Sequence, residues 1–301
     1  MLNNLIEDKN FIIIIGAPRS GTTWLQTILA SHPKVASTVE LTLYHCYIRP
    51  IINRWENEKA SINSNKWNLG IPFLYTDEEL NSFIKKFLND VYDRVLSINP
   101  TATHIIDKHP GYSFETILIE KYLKKVKFIH VIRDGREVAH SLVRINKEMG
   151  PAFGAKNYGT AINTWKSYVK EASKLRGQAN YLEIKYETMM QNSNISLKEV
   201  FDFLNLESTD ELIKDLTNKF SKENMKEKSL SQQEGVKINP SHYGKDDHKD
   251  STFEKFFFNK VAGNLLIELG YEKNTSWWSD GILKDTIAII EFLKRRLLKE
   301  L

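Results

Sequence analysis

A single cysteine, Cys46, in 301 residues leaves no partner for an intramolecular disulfide and favours a reducing compartment. Long apolar runs are missing too. The richest, Phe11-Ile12-Ile13-Ile14-Ile15, is far too short to span a bilayer, and residues 1–9 lack a basic region leading into an apolar one. Internal repeats and low-complexity segments are absent. Neither sign of charge dominates: 42 Lys and Arg against 38 Asp and Glu give a formal +4. That mild balance suits a cleft for a polyanionic small molecule. Basic clusters interleaved with aromatics are absent, so no nucleic-acid partner is expected. Apolar content of 41% and charged content of 27% describe an ordinary soluble globular chain, long enough to bury a sizeable core.

What is present begins with the run 11–15, four of whose five residues are β-branched, which reads as a buried parallel strand. It runs into Gly16-Ala17-Pro18-Arg19-Ser20-Gly21-Thr22-Thr23, a glycine-punctuated turn opening a helix that extends to about Ala30. Strand, turn and helix N-terminus make an anion site, because backbone N–H groups and the helix dipole both favour negative charge there. The spacing matches the phosphate loop G-x-x-x-x-G-K-[ST], except that Thr22 replaces its lysine. That lysine serves the outer phosphates of a triphosphate, so its loss argues against a nucleoside triphosphate. Arg19 instead puts a planar cation inside the loop.

A second strand, Lys127-Phe128-Ile129-His130-Val131-Ile132, ends at Arg133-Asp134-Gly135-Arg136-Glu137-Val138-Ala139-His140-Ser141. Gly135 marks a turn into a helix, and Ser141 lies two helical turns beyond Arg133. Both can face one crevice and serve a second phosphate. Ligands of open α/β sheets bind outside the carboxyl ends of the strands, so the two loops are expected to share one ligand with two anionic ends.

Further elements follow from pattern. Thr76-Asp77-Glu78-Glu79 is a capping box before the helical stripe Leu80, Phe83, Ile84, Phe87, Leu88, Val91. Residues 103–107 and 180–185 read as strands, and 113–125 and 155–175 as helices. Ser196-Leu197-Lys198-Glu199 and Ser251-Thr252-Phe253-Glu254 are two more capping boxes. Alternating strands and helices predict an α/β fold with a mainly parallel sheet. One domain over 1–301 is expected, with its core at about 10–205 and a helical elaboration over 206–301. Residues 49–72 and 221–250 lack clean periodicity and read as loops over the substrate.

The segment 16–24 resembles the 5′-phosphosulfate loop, and 133–141 the 3′-phosphate motif, of sulfotransferases that use 3′-phosphoadenosine 5′-phosphosulfate (PAPS). The resemblance covers about residues 10–205, and Arg19 is similar to the loop arginine of tyrosylprotein and carbohydrate sulfotransferases. It implies a P-loop-like three-layer fold with a central sheet flanked by helices. It also implies PAPS as sulfuryl donor, no metal, and a small-molecule or glycan acceptor. Phenols, sugars, lipids and peptide tyrosines all remain open, because the donor site does not fix the acceptor pocket. Eukaryotic relatives are usually Golgi proteins with an anchor and disulfides; with neither here, a bacterial-type cytoplasmic enzyme is expected.

The resemblance also assigns roles. Arg19, the backbone of Ser20, Gly21, Thr22 and Thr23, and both threonine hydroxyls should hold the leaving 5′-phosphate. Lys108, in Asp107-Lys108-His109-Pro110, should be the second cation. Two residues compete for the acceptor proton. Glu40, 21 residues after Arg19 and shortly beyond His32-Pro33, is favoured; His109 is the rival, directly beside Lys108. Arg133 and Ser141 should bind the 3′-phosphate. Tyr186 should touch the nucleotide and Trp24 the adenine, with core packing the competing use of each. Asp134 and Arg136 read as a local salt bridge or helix cap. Lys237, His242 and Lys245 lie where the family places a further basic contact.

Residues 281–301 have an apolar face (Ile282, Ile289, Ile290, Leu293, Leu297) and a basic one (Lys294, Arg295, Arg296), preceded by Trp277 and Trp278. Packing on the domain or on a second copy is expected ahead of resting on a membrane. The rival readings are a P-loop small-molecule kinase and a nucleotide-binding protein without turnover.

Overall fold

The computed structural model describes residues 4–64, 70–220 and 250–297. Five parallel strands form one sheet: β1 (Asn10–Ile15), β2 (Val35–Ala36), β3 (His104–Lys108), β4 (Val126–Ile132) and β5 (Tyr181–Lys185), in the order β2-β3-β1-β4-β5. The expected α/β class and parallel sheet are therefore observed. β1 lies between β3 and β4, with Ile14 opposite Lys108 and Ile15 opposite His130. The turns leaving β1, β3 and β4 thus open side by side at one carboxyl edge.

Side-chain alternation along the strands supplies both faces of the core. Phe11, Ile13, Ile15, Ile105 and Phe128 pack on one face, against Leu5 and Ile6 before β1, against α4 (Asp77–Leu96) through Ile84 and Leu88, and against α5 (Thr116–Tyr122) through Leu118 and Ile119. Ile12, Ile14, Ile106, Ile129 and Val131 face α2 (Thr22–Leu29), α9 (Ser193–Leu204) and α10 (Asp210–Lys219). Each fully buried aliphatic side chain contributes about 1.5–3 kcal/mol, so β1 alone anchors both layers. A third cluster joins α6 (Gly135–Met149), α7 (Tyr158–Ala172) and α11 (Thr252–Glu268) around the fully buried Trp165.

Several local expectations hold and others change. Thr76–Glu79 and Ser251–Glu254 both form reciprocal capping boxes. Ser196 caps nothing: Asn192 precedes Ser193 at the start of α9, so the chain is already helical there and Ser196 is buried. The expected helix over 113–125 shortens to α5, preceded by a 3₁₀ turn at Pro110–Phe114. Residues 49–63, expected as loop, form α3 (Arg49–Asn63), which buries Trp55 and ties its indole N–H to Asp77 at 2.8 Å. Beyond α3 the described residues of that segment run into a 3₁₀ turn at Ile71–Phe73. Lys237, His242 and Lys245 lie outside the described residues.

Candidate active site

The turn after β1 is built from unusual backbone. Gly16 (φ +143°), Arg19 (φ +74°) and Gly21 (φ +94°) all have positive φ, and Ser20 N–H donates to the Ala17 carbonyl at 3.1 Å. Alternating left-handed residues turn successive N–H groups inward, an arrangement suited to an anion. No side chain fits at the glycines. A Cβ on Gly16 would lie 2.4 Å from the Val131 carbonyl oxygen, and one on Gly21 2.4 Å from the Tyr186 ring. Holding Arg19 left-handed is strained for a residue with a Cβ, and such strain concentrates at functional sites. The Ser20 hydroxyl is fully buried, with no hydrogen-bond partner among the described residues. An orphaned donor inside a nest of N–H groups fits a phosphate oxygen.

The second motif meets this turn directly. Arg19 Nε donates to Ser141 Oγ at 3.0 Å across 122 residues of sequence. Arg133 leaves the end of β4 and reaches the Arg19 carbonyl at 3.3 Å, with Glu137 on its other side at 3.2 Å. Its guanidinium lies 4.8 Å from the centre of the Tyr186 ring, which opens α8 (Tyr186–Gln191) straight after β5. One cleft is lined by Arg19, Gly21, Thr22, Thr23, Trp24, Arg133 and Tyr186. Trp24 borders the cleft, and its buried indole N–H donates to the Phe220 carbonyl at 3.1 Å, which is the core-packing use expected of it. Asp134 caps α6 through the Arg136 N–H and pairs with the Arg136 guanidinium, the local bridge expected of the two.

Lys108 closes the cleft from β3. Its side chain is 1% exposed, and Nζ donates to Thr23 Oγ1 at 3.1 Å and pairs with Glu40. Burial pulls the Lys108 pKa down, and the Glu40 charge opposes that. Glu40 keeps a partly exposed carboxylate four residues beyond β2, so it stands between Lys108 and solvent. Loop threonine, lysine and candidate base are therefore in direct contact.

His109 is held differently. Its Nδ1 accepts the Gly111 N–H at 3.1 Å, and its ring stacks 5.8 Å from that of His45. Burial lowers its pKa, with the Glu40 charge acting the other way. With Nδ1 engaged as acceptor, the hydrogen-bond network assigns the neutral ring's proton to Nε2.

Two groups beside the site were not foreseen. Asp107, buried under the sheet edge, accepts from Tyr92 at 3.0 Å and Tyr112 at 3.1 Å, and Tyr92 also reaches Tyr44. Burial raises the Asp107 pKa to about 7, against the pull of both phenols. Glu115, also buried, binds Arg49 at 2.7 Å and His45 at 3.1 Å. These partners are scattered over 70 residues of sequence, so no spacing signalled them. Ser113, whose Oγ accepts the Gly16 N–H at 3.2 Å and fixes the turn, carried no signal either. Among the described residues, no cluster of three His, Cys, Asp or Glu is placed to hold a metal ion.

Comparison with known proteins bears on the family and the fold. A family model described as "Sulfotransferase family" matches residues 11–211. Protein-tyrosine sulfotransferase A of Caenorhabditis elegans is 23% identical over 206 residues, which is 67% of this chain and 52% of that protein. Protein-tyrosine sulfotransferase 1 of Danio rerio is 24% identical over 211 residues, 69% of this chain and 56% of that protein. The chain thus spans about half the length of these curated relatives. A mouse sulfotransferase solved in complex with PAP superposes with a TM-score of 0.54 at 16% identity, over 89% of this chain and 88% of that one. The sulfotransferase domain of the Synechococcus olefin synthase gives 0.52 at 21% identity, over 86% and 95%. At such identities these structures establish a shared fold.

Proposed function

The chain belongs to the sulfotransferase family, and on that premise we propose that it moves a sulfuryl group from PAPS to an acceptor hydroxyl or amine. The observation that carries the reading is the contact between Arg19 and Ser141, which joins the two phosphate motifs into one cleft with Arg133. A donor with phosphates at both ends of a ribose fits that pairing, and the buried Ser20 hydroxyl supplies a waiting donor. PAPS brings an activated S–O bond; the protein supplies position, charge and a base.

Arg19 and the turn N–H groups hold the 5′-phosphate, and Arg133 with Ser141 holds the 3′-phosphate. Tyr186, stacked under Arg133, fixes the wall of the nucleotide cleft. The acceptor oxygen bonds to sulfur as the sulfur–oxygen bond to the 5′-phosphate breaks. Its proton passes to a Glu40 oxygen, and the charge left on the phosphate is met by Arg19 and Lys108. Once Lys108 turns to that phosphate, Glu40 loses its cationic partner and becomes a better base. His109 is the weaker candidate, since its one proton-accepting nitrogen is spent on Gly111. The named relatives make a tyrosine phenol the first acceptor to try. The single cysteine suggests a cytoplasmic setting.

Calorimetric titration with adenosine 3′,5′-bisphosphate, beside ATP with magnesium, tests the donor site. Micromolar binding of the bisphosphate, weakened about 10- to 150-fold in Arg133→Ala, is expected, because about 1.5–3 kcal/mol is typical of a hydrogen bond to a charged group. ATP binding without bisphosphate binding would instead favour the kinase reading.

A further inference from the structure

The helix α12 (Ile282–Leu297) presents two faces that the fold treats differently. Its inner face is seated: Ala288 is buried, the Phe292 ring lies 5.5 Å from Phe256 and 5.8 Å from Phe257, and Arg295 sits 4.6 Å over Phe253. Its first turn is tied down as well. Ser279 Oγ and the Asp280 N–H both donate to Asp285, while the Asp280 carboxylate accepts from Thr252 and Lys255. The rotation of the helix is therefore fixed, and at 3.6 residues per turn the opposite side carries Ile282, Leu283, Ile287, Ile290 and Leu293. All five are between 51% and 89% exposed. Five aliphatic side chains on one outward face of a docked helix make a contiguous apolar patch.

The charges on the helix favour one occupant. Lys284, Lys294, Arg295 and Arg296 outnumber Asp285 and Glu291. Asp285 is used by the cap and Glu291 by Arg295. Lys294 falls within the apolar sector itself, where its four-carbon stem can lie along the patch and lift the ammonium to a headgroup. A second copy fits less well. A helix of 16 residues is about 24 Å long and its face about 10 Å wide, so pairing would cover about 240 Å² per copy against the roughly 800 Å² of a standard interface.

We propose that the outer face of α12 seats the protein on an anionic membrane surface. The five aliphatic side chains enter the headgroup–acyl boundary, and Lys294 and the flanking Arg296 meet lipid phosphates. Trp277 and Trp278 take no part. Trp277 donates to Asn259 beneath Arg136, and Trp278 packs on Phe256. Attachment is consequently peripheral and reversible. Among the described residues no helix is long and apolar enough to cross a membrane.

Sedimentation of the full chain with phosphatidylcholine vesicles, with and without about a third phosphatidylglycerol, tests this. The protein should pellet with the anionic vesicles, less so in high salt, and remain in solution with phosphatidylcholine alone. Leu283→Ser combined with Ile290→Ser should leave the melting temperature unchanged and weaken vesicle partitioning about tenfold. Equal pelleting of parent and variant, pelleting indifferent to lipid charge, or no pelleting at all would overturn the proposal. So would a dimer in light scattering that the double substitution dissociates, which would assign the face to a second copy.

Discussion

Glu40 and His109 are the residues on which the chemistry divides, and their hydrogen bonds already separate them. Glu40 touches Lys108, whereas His109 spends its acceptor nitrogen on the Gly111 N–H. Glu40→Gln should lower kcat by about 10²–10⁴, the range for losing a general base. Affinity for the bisphosphate should hold or improve, because Lys108 is released and an anion beside a phosphate site is removed. Titration and turnover measured on the same protein check the split. Loss of turnover in His109→Ala alone would move the base to the histidine. Asp107 gives a second prediction. Its folded pKa, about 7, stands above the unfolded 3.8, so the native state keeps a proton that the unfolded chain has lost. That contribution is complete below about pH 3.8 and disappears as pH rises through 7. Asp107→Asn removes the titration and keeps an acceptor for Tyr92 and Tyr112. Urea unfolding should therefore shift in favour of the variant by about 2–3 kcal/mol between pH 5 and pH 8. Buried His130, held neutral with a pKa of about 3, acts with the opposite sign, losing stability as pH falls below 6.5. Both proteins retain it, so it cancels from the comparison.

At the scale of elements, the turn after β1 is the part least able to accept change. Gly21→Ala places a methyl group 2.4 Å from the Tyr186 ring at a backbone angle that only glycine adopts readily. Tyr186 must swing away, taking the support from beneath Arg133. Bisphosphate affinity should drop about tenfold or more while the strand core stays folded, and circular dichroism with titration distinguishes the two effects. This turn was also the most legible element, because a β-branched run, two glycines and a helix start are all local signals. β4 with Arg133, and the capping boxes at Thr76 and Ser251, were readable for the same reason. What failed was non-local. α3 hid behind asparagines and charges, since most of its surface faces solvent and only Trp55 is buried. The Ser196 box lost to an earlier helix start at Ser193. The contact of Lys108 with Glu40 bridges 68 residues, and the two Asp107 phenols come from separate elements, Tyr92 from α4 and Tyr112 from the 3₁₀ turn. Pairings of that kind are set by tertiary packing, which periodicity does not encode.

On the scale of the molecule, the candidate site and the C-terminal helices are bound into one body by charged links that start beside Arg133. Arg136, capped by Asp134 beside Arg133, also binds Glu272 beyond α11. Tyr271 donates to Glu187 at 2.9 Å, and Glu187 in turn accepts the Asp134 N–H at 2.9 Å. Trp165, Phe257 and Phe258 fill the space beneath these contacts. Residues 252–297 should therefore unfold with the sheet and not as a separate unit. Scanning calorimetry is expected to show one transition for the whole chain. Bisphosphate at a hundred times its dissociation constant adds about 2.7 kcal/mol to the native state. For a protein of 301 residues that raises the melting temperature by roughly 4 °C. The entire transition should move together, because ordering Arg133 and Asp134 reinforces the links to Glu187 and Glu272. A second transition that ignores the ligand would show that the C-terminal helices fold on their own.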